Sequence, residues 1–403
     1  MTTITLDLLL EACQTGGPSC LSSRTQLAPA GGWQTSVGPA KFAGPRGTDG
    51  VYAYEQRFID GNQREAVLID SKQSQLNRAE AALAQAIADG HPILTRLPRI
   101  EVVYDRQGVQ ERYSDLDLPH RAFDGHIRAG TVNGVPVTDL PFYRAIRNAN
   151  QVNAIDLLQA SPATLVFGGW DSSRAARQGR WRSLLVGEVI GVCATAEHEA
   201  RKGGARVDPV GMQVKLAGPA LRAIAQAQHT ELSEKNYKKL LEAANKAKGE
   251  TISASGLGLG GIPPSLTSLA GVACDQIIRT HVLSFAGLRQ LRFGKGRDGD
   301  VACRALLAAL ALNGLARSDA ELSLRANCDL VEAGPAVVTL DRRHGQTEGL
   351  SSLSIIEADE VLRGALVNAE NVAGVTWQGI ALTVQGNPDI VAGVTDGEEG
   401  DEE

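Results

Sequence analysis

Residues 67–83 read VLIDSKQSQLNRAEAAL, and the hydrophobic period changes inside that stretch. Val67 to Ile69 form a short apolar run of strand type. From Asp70 onward the apolar residues Leu76, Ala79, Leu83 and Ile87 recur at helical spacing and are expected to face a core. Asp70 reads as the N-cap, with Gln73 three residues later in the capping-box position. Ser71, Gln75 and Arg78 then share a different helix face, and Gly90 with Pro92 ends the helix. A strand running directly into an amphipathic helix is the opening of a mixed α and β unit.

Working outward, VYAYEQRFI (51–59) and REAVLI (64–69) flank Asp60-Gly61-Asn62, which predicts a hairpin. Residues 4–14 read as a short helix, 20–28 as a strand and 28–50 as a Gly/Pro-rich loop. Downstream, ATLVFGGW (163–170) reads as a buried strand and SLLVGEVIGVCA (183–194) as a second. Residues 219–248 read as helix, with Lys235, Lys238, Lys239, Lys246 and Lys248 in the latter half. A Gly/Pro loop at 255–264 precedes the strand-like GVACDQIIRTHVLSF (271–285) and an Ala/Leu helix over 301–316. Short strands and a helix near 357–368 complete the chain. Residues 90–160 are less regular and read as an insertion. Without an internal repeat, the fold class is α+β, elaborated at its loops.

With 403 residues and 43% apolar content the chain can build a large core, but aromatics are only 4%, so Ala, Leu, Val and Ile must fill it. The formal charge is −6, and the last eight residues hold six of the acids, leaving a body of balanced charge. Bulk charge therefore does not announce a nucleic-acid binder, and such a site must come from local clusters. The tail 396–403 is expected to be disordered. Six scattered cysteines without C-x-x-C spacing read as reduced thiols of a cytoplasmic protein rather than a zinc site. Asp7 and Glu11 near the N-terminus argue against a secretory signal, and the apolar run Ala305–Leu312 is far short of a bilayer span.

Three basic runs stand out. DSSRAARQGRWR (171–182) carries Arg174, Arg177, Arg180 and Arg182 beside Trp181; guanidinium forks suit phosphates and an indole can stack on a base. HEARKGGARVDP (198–209) places Arg201, Lys202 and Arg206 around a Gly-Gly tip. GLRQLRFGKGR (287–297) places Arg289, Arg292 and Lys295 with Leu288 and Leu291 turned inward. From charge alone a solvated loop explains the first run as well as a phosphate site does, and an ordinary turn is the better reading of the second. GLGLGG (256–261) lacks the G-K-[ST] ending of a phosphate loop and runs into Pro263-Pro264, so it is a backbone turn. No H-E-x-x-H or G-x-S-x-G pattern occurs, and no catalytic residue, cofactor or metal is expected.

The run 67–83 resembles a signature of the backbone RAMP subunit (Cas7-type, Csb1 family) of type I-G, formerly I-U, CRISPR Cascade. SSRTQLAP (22–29), PATLVFGGWDSS (162–173), RSLLVGEVIG (182–191), RVDPVG (206–211) and the long run 261–293 resemble the family in the same order. The resemblance implies a modified RRM/ferredoxin-like palm with finger and thumb insertions. Its divisions are a first palm part over 1–89, a finger-like insertion at 90–160 and palm strands at 161–197. A thumb and helical insertion at 198–265 and the rest of the palm at 266–395 follow. It implies a non-catalytic subunit that oligomerises along crRNA and presents it to target DNA. Its partners would be further copies of itself, a large subunit, a fused crRNA-processing subunit and a recruited helicase-nuclease, with no membrane. Ser71, Lys72, Gln75 and Arg78 would meet RNA backbone at a helix N-terminus, Arg24 would join them, and the three basic runs would line the same groove. The aromatic-poor strands fit backbone clamping better than base reading by the sheet. The alternative is an RNA endonuclease subunit that cuts with a loop aspartate, Asp124 in FDGHIR or Asp171.

Overall fold

The computed structural model describes residues 2–44, 50–106, 108–175, 179–195, 199–201, 206–247, 249–262 and 269–392. The main sheet is built from β1 (Cys20–Pro29), β2 (Tyr54–Ile59), β3 (Asn62–Asp70), β4 (Leu185–Cys193), β5 (Cys274–Ser284), β6 (Val337–Arg343) and β7 (Gln346–Leu350). Helices α1 (Leu6–Cys13), α2 (Lys72–Ala88), α3 (Gly296–Glu321) and α4 (Ile355–Ala373) pack against it. The class is α+β, as the alternation of periods predicts.

The hairpin forms where expected. Asp60 and Gly61 both have positive φ, 49° and 82°, and Ile59 faces Asn62, so the turn twists with the strands it joins. In space the strands run β7-β6-β1-β5-β4-β3-β2, with the short strand Leu330–Glu332 also on β1. With the β2–β3 hairpin set aside, β1, α2, β4, β5, α3 and β6 run in the order β-α-β-β-α-β. Their strands stand in the order fourth, first, third, second, every neighbouring pair antiparallel.

Strand alternation decides the faces. Along β1, Leu21, Ser23, Thr25 and Leu27 are buried while Arg24 between them is exposed on the other side. That other face holds a small apolar cluster, Ala66, Ile190, Val192 and Ile278, ringed by the ion pairs Arg57–Glu188, Arg64–Asp275 and Arg24–Asp60. The helix side is closed by α3, whose residues Gly299 to Leu315 are buried without a break. A helix apolar on all sides is a core helix. Although its 26 residues are long and apolar enough for a membrane span, 89% of the relevant window is inside the protein. A Cβ at Gly314 would stand 3.2 Å from Leu83 Cδ1 and 3.3 Å from Ala79 O, so this glycine sets how closely α3 meets α2.

Three sequence readings change. ATLVFGGW is not one strand: Pro162–Phe167 is a helix with Pro at its start, Gly168 (φ 91°) ends it, and only Gly169–Trp170 is strand. A short fully buried apolar run has no exposed face to reveal its period, and here burial against α3 accommodates a helical turn. The predicted helix over 219–248 is two helices, Gly218–Ala227 and Glu234–Lys246, the second capped by Ser233, whose hydroxyl accepts from Asn236 N at 3.3 Å. The third is the N-cap of α2, which is Ser71 and not Asp70. The segment read as an insertion at 90–160 supplies Arg99–Arg106, Val109–Ser114, Thr131–Val132 and Val135–Pro136 to a second sheet. The strand Ile380–Gln385, parallel to Arg99–Arg106, completes that sheet, whose residues share the principal core.

Between β4 and β5 the chain makes a long excursion. The strands Glu199–Arg201 and Leu269–Val272 pair as its two legs. Beyond them the two helices of 218–246 gather a separate core of Leu221, Ala225, Leu240 and Ala244. The acidic tail 396–403 lies outside the described residues.

Candidate nucleic-acid interface

Helix α2 begins at Lys72 because Ser71, in extended backbone, is the N-cap and its hydroxyl accepts from Ser74 N at 3.2 Å. Asp70 has a different role. It is the last residue of β3, fully buried, and its carboxylate accepts from Ser74 Oγ (2.9 Å), Gln75 Nε2 (2.6 Å), Arg78 Nε (3.0 Å) and Arg325. These donors hold its pKa below the usual carboxylate value against the opposing and largest influence, burial. Arg78 also reaches Ser323 O at 2.5 Å and Arg325 reaches Ile69 O at 2.6 Å, so the node ties the start of α2 to the connection after α3. Gln75 is buried, and since its amide NH2 serves Asp70, its oxygen accepts from His281 Nε2 at 3.0 Å. Burial pushes the His281 pKa down to about 3, keeping the ring neutral. Of the four residues expected to meet RNA here, Gln75 and Arg78 are thus engaged internally. Lys72 is exposed, and its side chain has no partner among the described residues.

The arginine-rich loop is a short hairpin, Gly169–Trp170 against Arg180–Trp181. Its base is clamped by Arg121, buried against Glu80 of α2 and donating to Gly168 O at 3.0 Å. A Cβ at Gly168 would fall 2.9 Å from Trp181 O, a close approach that its positive φ also reserves for glycine. The helix Pro141–Asn148 and the turn after it meet this hairpin. Arg147 is paired with buried Asp171 at 2.7 Å, and Arg174 donates to Arg147 O and Asn148 Oδ1, both at 2.6 Å. Arg180 lies over the exposed Trp170 ring, 4.4 Å from its centroid.

The same turn receives the third basic run. Arg292 N donates to Gln151 O and Ala154 N donates to Arg292 O, both at 2.8 Å. Buried Arg304 fixes the run from behind through Leu291 O, and Asp300 accepts from Phe293 N and Lys295 N. Leu288 and Leu291 are buried as expected, while Arg292 is exposed. Arg289 donates to Ala12 O (2.6 Å) and Pro18 O (2.7 Å), joining α1 to the connection before β1 rather than projecting outward. Two runs that are more than a hundred residues apart thus share residues 147–154 as a common wall, bringing Arg174, Arg180 and Arg292 to one region.

The remaining expectations fall elsewhere. Arg24 sits on the open face of the sheet, 3.9 Å from Asp60, and Arg182 is exposed with no partner among the described residues. Exposed Arg206 forms a backbone bridge with Ile262 in the excursion. Arg201 is described only in its backbone, and Arg177 and Lys202 lie outside the described residues. Asp124 is a cap, accepting from His126 N at 2.9 Å and His120 N at 3.0 Å, and Asp171 is held by Arg147. Among the described residues no three His, Cys, Asp or Glu side chains group as metal ligands. The cysteines are free thiols, five of them buried. Arg147, Asn148, Asn150, Gln151 and Trp170 were not singled out from the sequence; the amide-rich NANQ (148–151) contains three of them.

No curated protein matches the chain. Residues 21–196, from β1 to just beyond β4, match the family described as CRISPR-associated protein GSU0053.

Proposed function

We propose that this chain is a non-catalytic crRNA-binding backbone subunit of a type I-G CRISPR Cascade, copies of which line up along the guide and present it to target DNA. The observation that carries the reading is the convergence of Arg174, Arg180 and Arg292, with the Trp170 platform, around residues 147–154. Cationic forks beside an exposed indole suit a single strand held by its phosphates. The β-α-β-β-α-β order in the main sheet supports the reading of an RRM-like palm. The excursion between β4 and β5, with its own small core, supports the reading of a thumb insertion. The open sheet face, where Arg57 and Arg64 are cancelled by Glu188 and Asp275, suits neither base reading nor a phosphate track, which favours the hairpin region.

The test is the salt dependence of binding to a single-stranded guide fragment. Replacing Arg180 and Arg292 by Ala is expected to weaken binding and reduce the slope of log K against log salt by about 0.7 for each phosphate no longer neutralised. An unchanged slope removes the region from the site. The endonuclease alternative is answered by incubating the protein with target RNA and a divalent metal. Cleavage abolished in Asp171→Asn, or in Asp124→Asn, would replace the scaffold reading.

A further inference from the structure

Between the end of α3, the start of α4 and strand β6 lies an open groove of about 840 Å³. Its walls are apolar. Leu315 and Val338 are buried in it, Leu353 and Ile355 are half-buried, and Ile356 is 72% exposed. The charged residues that line it are Arg279, Asp319 and Glu332. Arg279 keeps only 2% side-chain exposure, whereas Asp319 and Glu332 keep 24% and 47%, so the cation lies behind and the two carboxylates face outward. Burial pushes the Asp319 pKa up to about 6 against the pull of Arg279, and a further cation near it would be favourable. The groove therefore suits an apolar group flanked by positive charge. It repels the chain's own end, where six of the last eight residues are Asp or Glu.

The same chain carries such a group. In the excursion between β4 and β5, Arg206 N donates to Ile262 O (2.9 Å) and Ile262 N donates to Arg206 O (2.8 Å). Asp208 accepts from Val210 N and Gly260 N, both at 2.8 Å, which commits its carboxylate to the backbone. A Cβ at Gly261 would stand 2.8 Å from Arg206 O, so the two passes of chain close tightly there. This hydrogen-bonded turn holds Val207, Val210 and Ile262 out at 71%, 88% and 63% exposure, beside exposed Arg206 and Lys215. A cluster of exposed branched apolar side chains marks an interaction surface. None of the described residues 206–262 lines the groove of its own chain. We propose that this apolar knob of one copy docks in the groove of the next, with its cations toward Asp319 and Glu332. Knob and groove are different surfaces, so each copy gives one and receives one. Such a head-to-tail contact can repeat, as a row of copies along one strand requires.

This inference rests on the reading that copies line up on a guide, and the experiment separates the two. The full chain is titrated onto a single-stranded guide fragment long enough for several copies and onto a short one that holds a single copy, and native mass spectrometry counts copies per strand. It is compared with Val210→Asp in the knob and Ile356→Asp in the groove. Both positions are exposed, and an acid in the first turn of α4 suits that helix end, so both variants are expected to fold. Each should weaken the addition of a second copy by about tenfold or more, because a charge replaces a buried apolar contact. Each should bind the short strand as the wild type does. On the long strand, mixed Val210→Cys and Ile356→Cys chains should be joined through those two positions by a short bismaleimide. Wild-type assembly in either Asp variant, or no such cross-link, overturns the knob-in-groove contact while leaving the array on RNA intact. An equal loss on the short strand in Val210→Asp also overturns it, by placing the knob on RNA. A wild type that never puts more than one copy on a strand overturns both.

Discussion

Replacing Asp70 by Asn tests how the start of α2 is held. The carboxylate is fully buried and accepts from four side chains, two of them guanidiniums. Asn keeps one acceptor oxygen but sets an NH2 group against Arg78 or Arg325, leaving positive charge uncompensated. Breaking a buried ion pair from one side costs about 3–5 kcal/mol. Arg78 and Arg325 retain 23% and 26% side-chain exposure, so water takes up part of the deficit and the lower end, about 3 kcal/mol, is expected. Urea unfolding followed by circular dichroism measures it. The pH dependence gives a second reading. Asp70 is depressed below its ordinary 3.8, so its contribution is complete above 3.8 and is lost as pH falls through the lower folded value. That acid limb should be shallower in Asp70→Asn. A loss of under about 0.5 kcal/mol at neutral pH, the range of an ordinary surface substitution, would refute the claim that this node anchors the helix.

Other consequences can be checked on the same material. Ser71→Ala should cost about 1 kcal/mol in urea unfolding, as removal of an N-cap does. His281, ordinarily 6.5, titrates near 3 when folded, so the neutral ring stabilises above 6.5 and that contribution declines as pH falls from 6.5 toward 3. In His281→Gln the decline over this window should be smaller by one proton's share; an identical pH profile would contradict the burial argument. Gly314→Val should destabilise by about 1–3 kcal/mol, since the added carbons meet Leu83 and the Ala79 carbonyl. Unchanged unfolding would show that α2 and α3 can separate there without loss.

The hairpin, the helix after it, the strand at 20–28 and the inward turn of Leu288 and Leu291 were legible because each signal is contained in a few neighbouring residues. Asp70 was misread for the same reason. Its position before Ser71 suggested a local cap, while one of its guanidinium partners, Arg325, is 255 residues away. The helix at Pro162–Phe167 escaped reading because all six residues are buried and no polar face marks its period.

Chain order alone determined the local conformations, the absence of strong bulk charge and the three basic runs, since backbone preferences and periodicity act over one or two turns. Which runs would meet was decided by folding. Arg292 reaches Gln151 because α3, through Arg304 and Asp300, fixes the segment that carries it. The cleft lined by residues 147–152 and 179–181 likewise exists only where that turn and the arginine hairpin pack together. Such meetings follow from burying whole faces at once, and no spacing within the chain encodes them.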